Sequence, residues 1–258
     1  MKIAVIGTGH MGLWLVKEMS RKHELCVYDL DPSRIKKLSR VVKLRNFKEI
    51  ADFEPDILIN AVDIKSTLDA FRSALPYLPK KCILADMASV KDKLPDFYAS
   101  IDFRYVSVHT MFGPTFANVE DLKKENVVII RESDKDGATF FEKFFRELHL
   151  NIFYYTFEEH DRMIAYSLTL PFASTMVFAG CMDKSAVPGT TFKRHLQIAR
   201  GLLSEDDRLL SEILFNRFSL FQLEKVTSQM EFLKHVIREK DQVEAVKLFN
   251  RLRRNISG

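Results

Sequence analysis

Apolar and polar positions follow two periods along this chain. Short unbroken apolar runs at Ile3-Ala4-Val5-Ile6, Leu25-Cys26-Val27-Tyr28 and Ile57-Leu58-Ile59 have the length of buried parallel strands. Between the first two, Met11, Leu13, Leu15, Val16 and Met19 supply the apolar positions of a helix. Further strands are expected near 41–44, 81–87, 104–108, 127–131 and 152–156, with helices near 32–38, 64–76 and 136–149. Asp31-Pro32 reads as an N-cap followed by proline at the first helical position. Strand–helix alternation up to about residue 156 predicts an α/β fold with a doubly wound, mostly parallel sheet. From Glu158 onward helical periods dominate. The expected organisation is therefore a sheet domain over 1–156 and an all-helical domain over 157–258. The helical part is rich in Phe, Leu and Met and too small to bury them all alone, which predicts a homodimer paired through it. Phe215, Phe218, Phe221 and Leu223 either line that interface or pack within one copy.

Composition narrows the class. The chain has 258 residues, 47% hydrophobic and 29% charged, as in ordinary globular proteins. A net charge of only +4 provides no basic field for nucleic acid, and Arg251–Arg254 reads as a solvated tail. Cys26, Cys82 and Cys181 are widely spaced in apolar runs, which suits reduced thiols in the cytoplasm and suggests no metal site. The chain runs straight into a strand, so no signal peptide is expected. Met163 to Met182 contains no charged residue, long enough to raise the question of a membrane span. Its Ser167, Thr169, Pro171, Ser174, Thr175 and Gly180 predict instead a helix buried by other helices.

The first stretch carries the clearest chemistry. Gly7-Thr8-Gly9-His10-Met11-Gly12 is a G-x-G-x-x-G that follows a strand and opens a helix. This is the context of a Rossmann-type dinucleotide site, where the helix N-terminus offers free N–H groups to a pyrophosphate. Asp29, at the end of the next strand, sits where a carboxylate binds the adenosine ribose and repels a 2′-phosphate, so NAD is expected. Arg34 and Lys36 lie close in sequence and bear on that choice. Ala61 and Val62 end another strand at the same sheet edge, beside the cofactor.

Ligands of such sheets bind outside the carboxyl ends of the strands. Two polar clusters fall there, Ser89-Val90-Lys91 and His109 with its loop. Oxidising an alcohol requires a hydride acceptor and a group that takes the hydroxyl proton, and neutral imidazole is suited to the second task. His109 either plays that part or hydrogen-bonds its own loop. Ser89 would contact the same substrate oxygen or the histidine. Lys91 holds a substrate carboxylate or caps the sheet edge.

Five motifs together resemble the prephenate dehydrogenases. They are GTGHMG at 7–12, Asp86-Met87-Ala88-Ser89-Val90-Lys91, HTMFGP at 109–114, Glu159-His160-Asp161 with Tyr166 beyond it, and IARGLLSED at 198–206. The resemblance implies oxidative decarboxylation of prephenate to 4-hydroxyphenylpyruvate with NAD, on the way to tyrosine. It implies that His109 meets the ring hydroxyl and that Ser89 supports the contact. It also implies that a helical-domain arginine binds a substrate carboxylate. Arg200 is the expected anchor, with Arg194 and His195 in reserve; each otherwise reads as a surface charge. His160 resembles the family's His-Asp pair and is expected near the substrate, or else makes only a helix N-terminal contact. Thr110 stands where the family usually has proline. Leu168–Phe172 stands where many members carry a histidine-bearing segment, so those polar contacts are missing. Arogenate is the alternative substrate. A β-hydroxyacid-type dehydrogenase or imine reductase is a second enzyme reading, although the hydroxyacid class needs a lysine that residues 157–182 lack. A dimeric dinucleotide-binding sensor is the non-enzyme reading.

Overall fold

Apolar runs flanked by helical segments build one eight-stranded sheet. The computed structural model describes residues 1–112, 122, 125–183 and 187–257. Its strands are β1 (Lys2–Ile6), β2 (Glu24–Tyr28), β3 (Val42–Lys43), β4 (Ile57–Asn60), β5 (Ile83–Asp86), β6 (Arg104–Thr110), β7 (Asn126–Ile130) and β8 (Asn151–Tyr155). They lie in the order β3-β2-β1-β4-β5-β6-β7-β8. The first six run parallel, β7 is antiparallel to β6, and β8 is parallel to β7. The helices of the sheet region are α1 (His10–Met19), α2 (Pro32–Lys36), α3 (Ile50–Phe53), α4 (Ile64–Ala74), α5 (Leu94–Ala99), α6 (Lys135–Glu147) and α7 (Phe157–Ile164).

Strands covered on both sides need apolar residues at every position, and β4 (ILIN) and β7 (NVVII) are buried almost throughout. One face packs Trp14, Leu15 and Met19 of α1 with Phe141, Phe144 and Phe145 of α6. The other packs Phe71 of α4, Phe97 and Tyr98 of α5, and Phe157 of α7. Each fully buried phenylalanine stabilises the fold by about 1.5–3 kcal/mol relative to exposure. Asp31, Asp63 and Asp134 cap α2, α4 and α6 through side-chain bonds to free amides of the first turn.

The second half contains a π-helical turn (Ala165–Thr169), then α8 (Leu170–Gly180), α9 (Thr190–Leu202), α10 (Asp207–Leu214), α11 (Ser219–Glu239) and α12 (Gln242–Ile256). The chain divides into two compact units. One is Met1–Ile164 with Asp207–Asn216; the other is Ala165–Asp206 with the chain from Arg217 onward. This differs from a cut at residue 156 because α7 is tied to the sheet. Phe157 enters its core, and the Nδ2 of Asn216, just past α10, donates to the Asp161 carbonyl at 2.9 Å.

Two other expectations change. Strand β6 runs through His109 to Thr110 rather than stopping at Val108, because β7 pairs with it there: His109 lies opposite Val128 and Thr110 opposite Val127. The described residues do not bury the helical run Phe157–Gly180 on all sides. It is long and apolar enough by length and composition to cross a bilayer, and only 22% of its most apolar window is buried.

Candidate active site

The glycine loop stands at the carboxyl end of β1. Gly7 adopts φ +83°, and a Cβ on Gly12 would lie 2.0 Å from the Gly7 carbonyl oxygen. A side chain at either position would push the loop away from α1. Gly9, the N-cap of α1, has no side-chain cap, and the space where its Cβ would stand is open. Free helix N–H groups facing an open cradle fit a dinucleotide pyrophosphate. Asp29 follows β2, and its Oδ2 accepts bonds from the Thr8 amide (2.6 Å) and hydroxyl (2.7 Å). Its Oδ1 accepts from the Asp31 amide at 2.9 Å. Ala61 donates its amide to the Ile6 carbonyl, and Val62 packs where a Gly7 side chain would be. Thus residues 7–12, Asp29, Ala61 and Val62 share one sheet edge, with His10 exposed at the start of α1.

His109 emerges at that edge. Strand β5 ends at Asp86, opposite Ser107, whereas β6 continues for three residues. The neighbouring Thr110 hydroxyl reaches the Met11 Sδ at 3.5 Å, which brings the end of β6 to the start of α1. The His109 ring is 7% exposed, and its Nδ1 lies 2.9 Å from the His160 Nε2. The His160 Nδ1 lies 2.9 Å from the Asp161 Oδ1, which also accepts the Lys91 amide at 2.8 Å.

These contacts fix the tautomers. A carboxylate only accepts, so His160 carries its proton on Nδ1 and its Nε2 is an acceptor. His109 must then donate from Nδ1, leaving a lone pair on Nε2, which has no hydrogen-bond partner among the described residues. Burial holds His109 well below the ordinary histidine value, and His160 and Lys91 add to the effect. Burial, with the Lys91 ammonium, pushes His160 down to about 3. Both rings are therefore neutral near pH 7, and His109 presents a proton acceptor.

Two expected substrate contacts are corrected. The Lys91 ammonium is wholly buried: it donates to Asp86 Oδ1 at 2.5 Å and to the Val108 carbonyl at 2.8 Å. Its Nζ is spent inside the core and faces no ligand; of the two expected parts it takes the second, capping the Val108 carbonyl where β5 has ended. His160 is 0% exposed and bonds His109 and Asp161, so it supports the imidazole rather than touching a substrate. Ser89 is half-buried after β5 and has no hydrogen bond among the described residues. Gly113 and Pro114 of the HTMFGP motif lie outside the described residues. Arg194, His195 and Arg200 are exposed on α9 of the second unit, where His195 rests on Phe178.

Asp86, Tyr98, Asp161 and Asn216 complete the network. Tyr98 donates to Asp86 Oδ2 at 2.8 Å. The motifs at 86–91 and 159–161 contain the two acids. Tyr98 and Asn216 stand in no recognisable pattern and reach the site only through folding.

Residues 14–150 match a family model described as the prephenate dehydrogenase nucleotide-binding domain. A curated relative from Methanocaldococcus jannaschii, described as "Probable arogenate/prephenate dehydrogenase", is 26% identical over 173 residues. That match covers 63% of this chain and only 38% of the relative's length. The crystal structure of prephenate dehydrogenase from Aquifex aeolicus superimposes with a TM-score of 0.84 at 18% identity, over 99% of this chain and 98% of that one. Its complex with hydroxyphenyl propionate and NAD+ gives 0.80 at 19%, with the same coverage. At these identities the structures establish a shared fold.

Proposed function

This chain belongs to the prephenate dehydrogenase family, and on that premise we propose that it catalyses the NAD-dependent oxidative decarboxylation of prephenate to 4-hydroxyphenylpyruvate in tyrosine biosynthesis. The observation that carries the reading is the His109 Nε2 lone pair, left without a partner among the described residues while His109 Nδ1 bonds His160. NAD, when bound, supplies the hydride acceptor. His109 takes the hydroxyl proton as the ring carbinol becomes a carbonyl. The ring carboxylate then leaves as carbon dioxide, its bonding electrons make the ring aromatic, and the carbonyl oxygen regains a proton from His109. Aromatisation drives the reaction, so the protein need only orient the substrate, accept the proton and hold a dianion.

Asp29 supports NAD over NADP, since its carboxylate stands beside the glycine loop where a 2′-phosphate would be repelled. Ser89 is the proposed partner of the reacting oxygen, a reading supported by its half-buried hydroxyl, which has no hydrogen bond among the described residues. Arg200 is the proposed carboxylate anchor, because guanidinium binds carboxylate in a bidentate way. Arg194 is the reserve; six positions apart on α9, the two point about 120° apart, so only one faces a given ligand. Arogenate is the second reading, and the curated relative is described with both substrates.

The protein is further proposed to be a soluble cytoplasmic homodimer. The exposed apolar side chains of the second unit, among them Val177, Leu220, Phe221 and Leu223, support burial against a second copy. Sedimentation should give twice the chain mass, and Phe221→Asp should shift it toward one copy. Purified protein assayed with prephenate or arogenate, each with NAD or NADP, tests the activity. Prephenate with NAD should be the fastest pair. Turnover of neither substrate would end this reading.

A further inference from the structure

A buried lysine two residues past a sheet-edge serine needs a reason to be there. Ammonium groups are rarely placed in a core without several partners. Lys91 has three links, each to a different element. Its Nζ binds Asp86 at the end of β5 and the Val108 carbonyl of β6, and its amide binds Asp161 of α7. The second link has a structural cause. Strand β5 stops at Asp86, so the Val108 carbonyl lies beyond the last residue of its parallel neighbour, and Lys91 supplies the donor the strand no longer provides. Val108 is the residue before His109. Asp161 holds His160, which holds the same imidazole. One residue thus grips His109 from two directions, through its backbone and through its ring.

We propose that Lys91 is the positioning residue for His109, tying the end of β6 and the Asp161–His160 pair to one point so that the imidazole is presented in a single place and tautomer. The inference rests on the reading of His109 as proton acceptor. Burial pushes the Lys91 ammonium down and Asp86 and Asp161 push it back up, and its positive charge disfavours protonation of the two imidazoles beside it. The titratable and charged groups around the ring are His160 and Asp161 from α7, Asp86 and Lys91 from the end of β5, and Tyr98 from α5. From α1 comes Met11 and from β7 Val128, neither of which titrates. Asp86 balances the lysine, and Tyr98 holds the second oxygen of that carboxylate. A plain core ion pair would need neither the Val108 nor the Asp161 link.

Lys91→Met alone strands the Asp86 carboxylate in the core, so the informative variant is Lys91→Met combined with Asp86→Asn. Two readouts separate positioning from simple stability: the pH profile of turnover, and histidine ¹⁵N shifts of the full chain without cofactor. In the double variant kcat should fall about 100-fold, as expected for a misplaced reacting group, while KM changes far less. The acid limb of the profile should move to higher pH, and the His109 resonance should titrate closer to an ordinary histidine. An unchanged profile and titration, with only the melting temperature lowered, would overturn the proposal. The unaltered protein offers a second test if the variant does not fold. Its His109 should carry the proton on Nδ1, and its Lys91 ammonium should exchange slowly. A proton on Nε2, or a freely exchanging ammonium, also overturns it. The shift measurements need no turnover, so they decide the role of Lys91 even if neither prephenate nor arogenate proves to be a substrate.

Discussion

The glycine loop and the histidine network meet at the same sheet edge and are built in opposite ways. The loop is six consecutive residues; it is open to solvent at Gly9 and works through backbone N–H groups. The network draws Asp86, Lys91, Tyr98, His109, His160 and Asp161 from two strand ends and two helices, buries them, and works through side chains. Holding a cofactor phosphate needs only a local turn and a helix end. Holding a neutral imidazole needs low dielectric, and that requires the rest of the unit to close over it. The difference implies that damage to the loop weakens cofactor binding, whereas damage to the network changes proton chemistry.

Four experiments press on that division. His109→Asn should lower kcat by about 10²–10⁴-fold, the usual worth of a positioned acid–base group. Calorimetry should find NAD affinity unchanged, and an equal loss in both would mean the two regions are not separable. Acid comes next. Both histidines protonate less readily folded than unfolded, where the ordinary value is 6.5. The unfolded chain therefore binds protons that the folded one refuses. This contribution to stability is complete above about pH 6.5 and is lost as pH falls toward the His160 value of about 3. The loss should reach up to about 1.4 kcal/mol per pH unit for each histidine. Urea midpoints at pH 7, 6 and 5 measure it, and a flat series would mean solvated rings.

On the loop side, Gly12→Val would place side-chain atoms against the Gly7 carbonyl. It should cost about 1–3 kcal/mol of stability and raise KM for NAD. A kcat loss at saturating NAD would contradict the division. The smallest effect is expected for Asp29→Ala, which removes the proposed ribose contact, worth about 0.5–1.5 kcal/mol. NAD preference over NADP should narrow accordingly, and an unaltered ratio would place cofactor choice elsewhere, at Arg34 or Lys36.

Much of the molecule was legible from pattern. The strand–helix alternation predicts the doubly wound sheet, since a strand buried on both faces must be apolar throughout, and that reads directly as Ile3–Ile6 or Ile57–Ile59. The glycine loop and Asp29 are legible for a related reason: their spacing is local, so chain geometry alone brings them together. Motifs also marked His109, Lys91 and the His160-Asp161 pair. They misassigned two of these, because a motif records residue type and position and carries nothing about burial. Lys91 and His160 read as ligand contacts and are core supports.

The amino-acid order by itself determined most of the secondary structure and the fold class, and it marked the candidate cofactor cradle and the candidate proton acceptor. Tertiary structure alone decided where the first unit ends, which histidine supports which, and which nitrogen keeps its lone pair. It also showed the long apolar helix only partly covered by the described residues. The physical reason is range. Periodicity and turns are set by neighbours in the chain, whereas desolvation and hydrogen-bond direction depend on groups such as Asn216 and Tyr98 that only folding brings to Asp161 and Asp86.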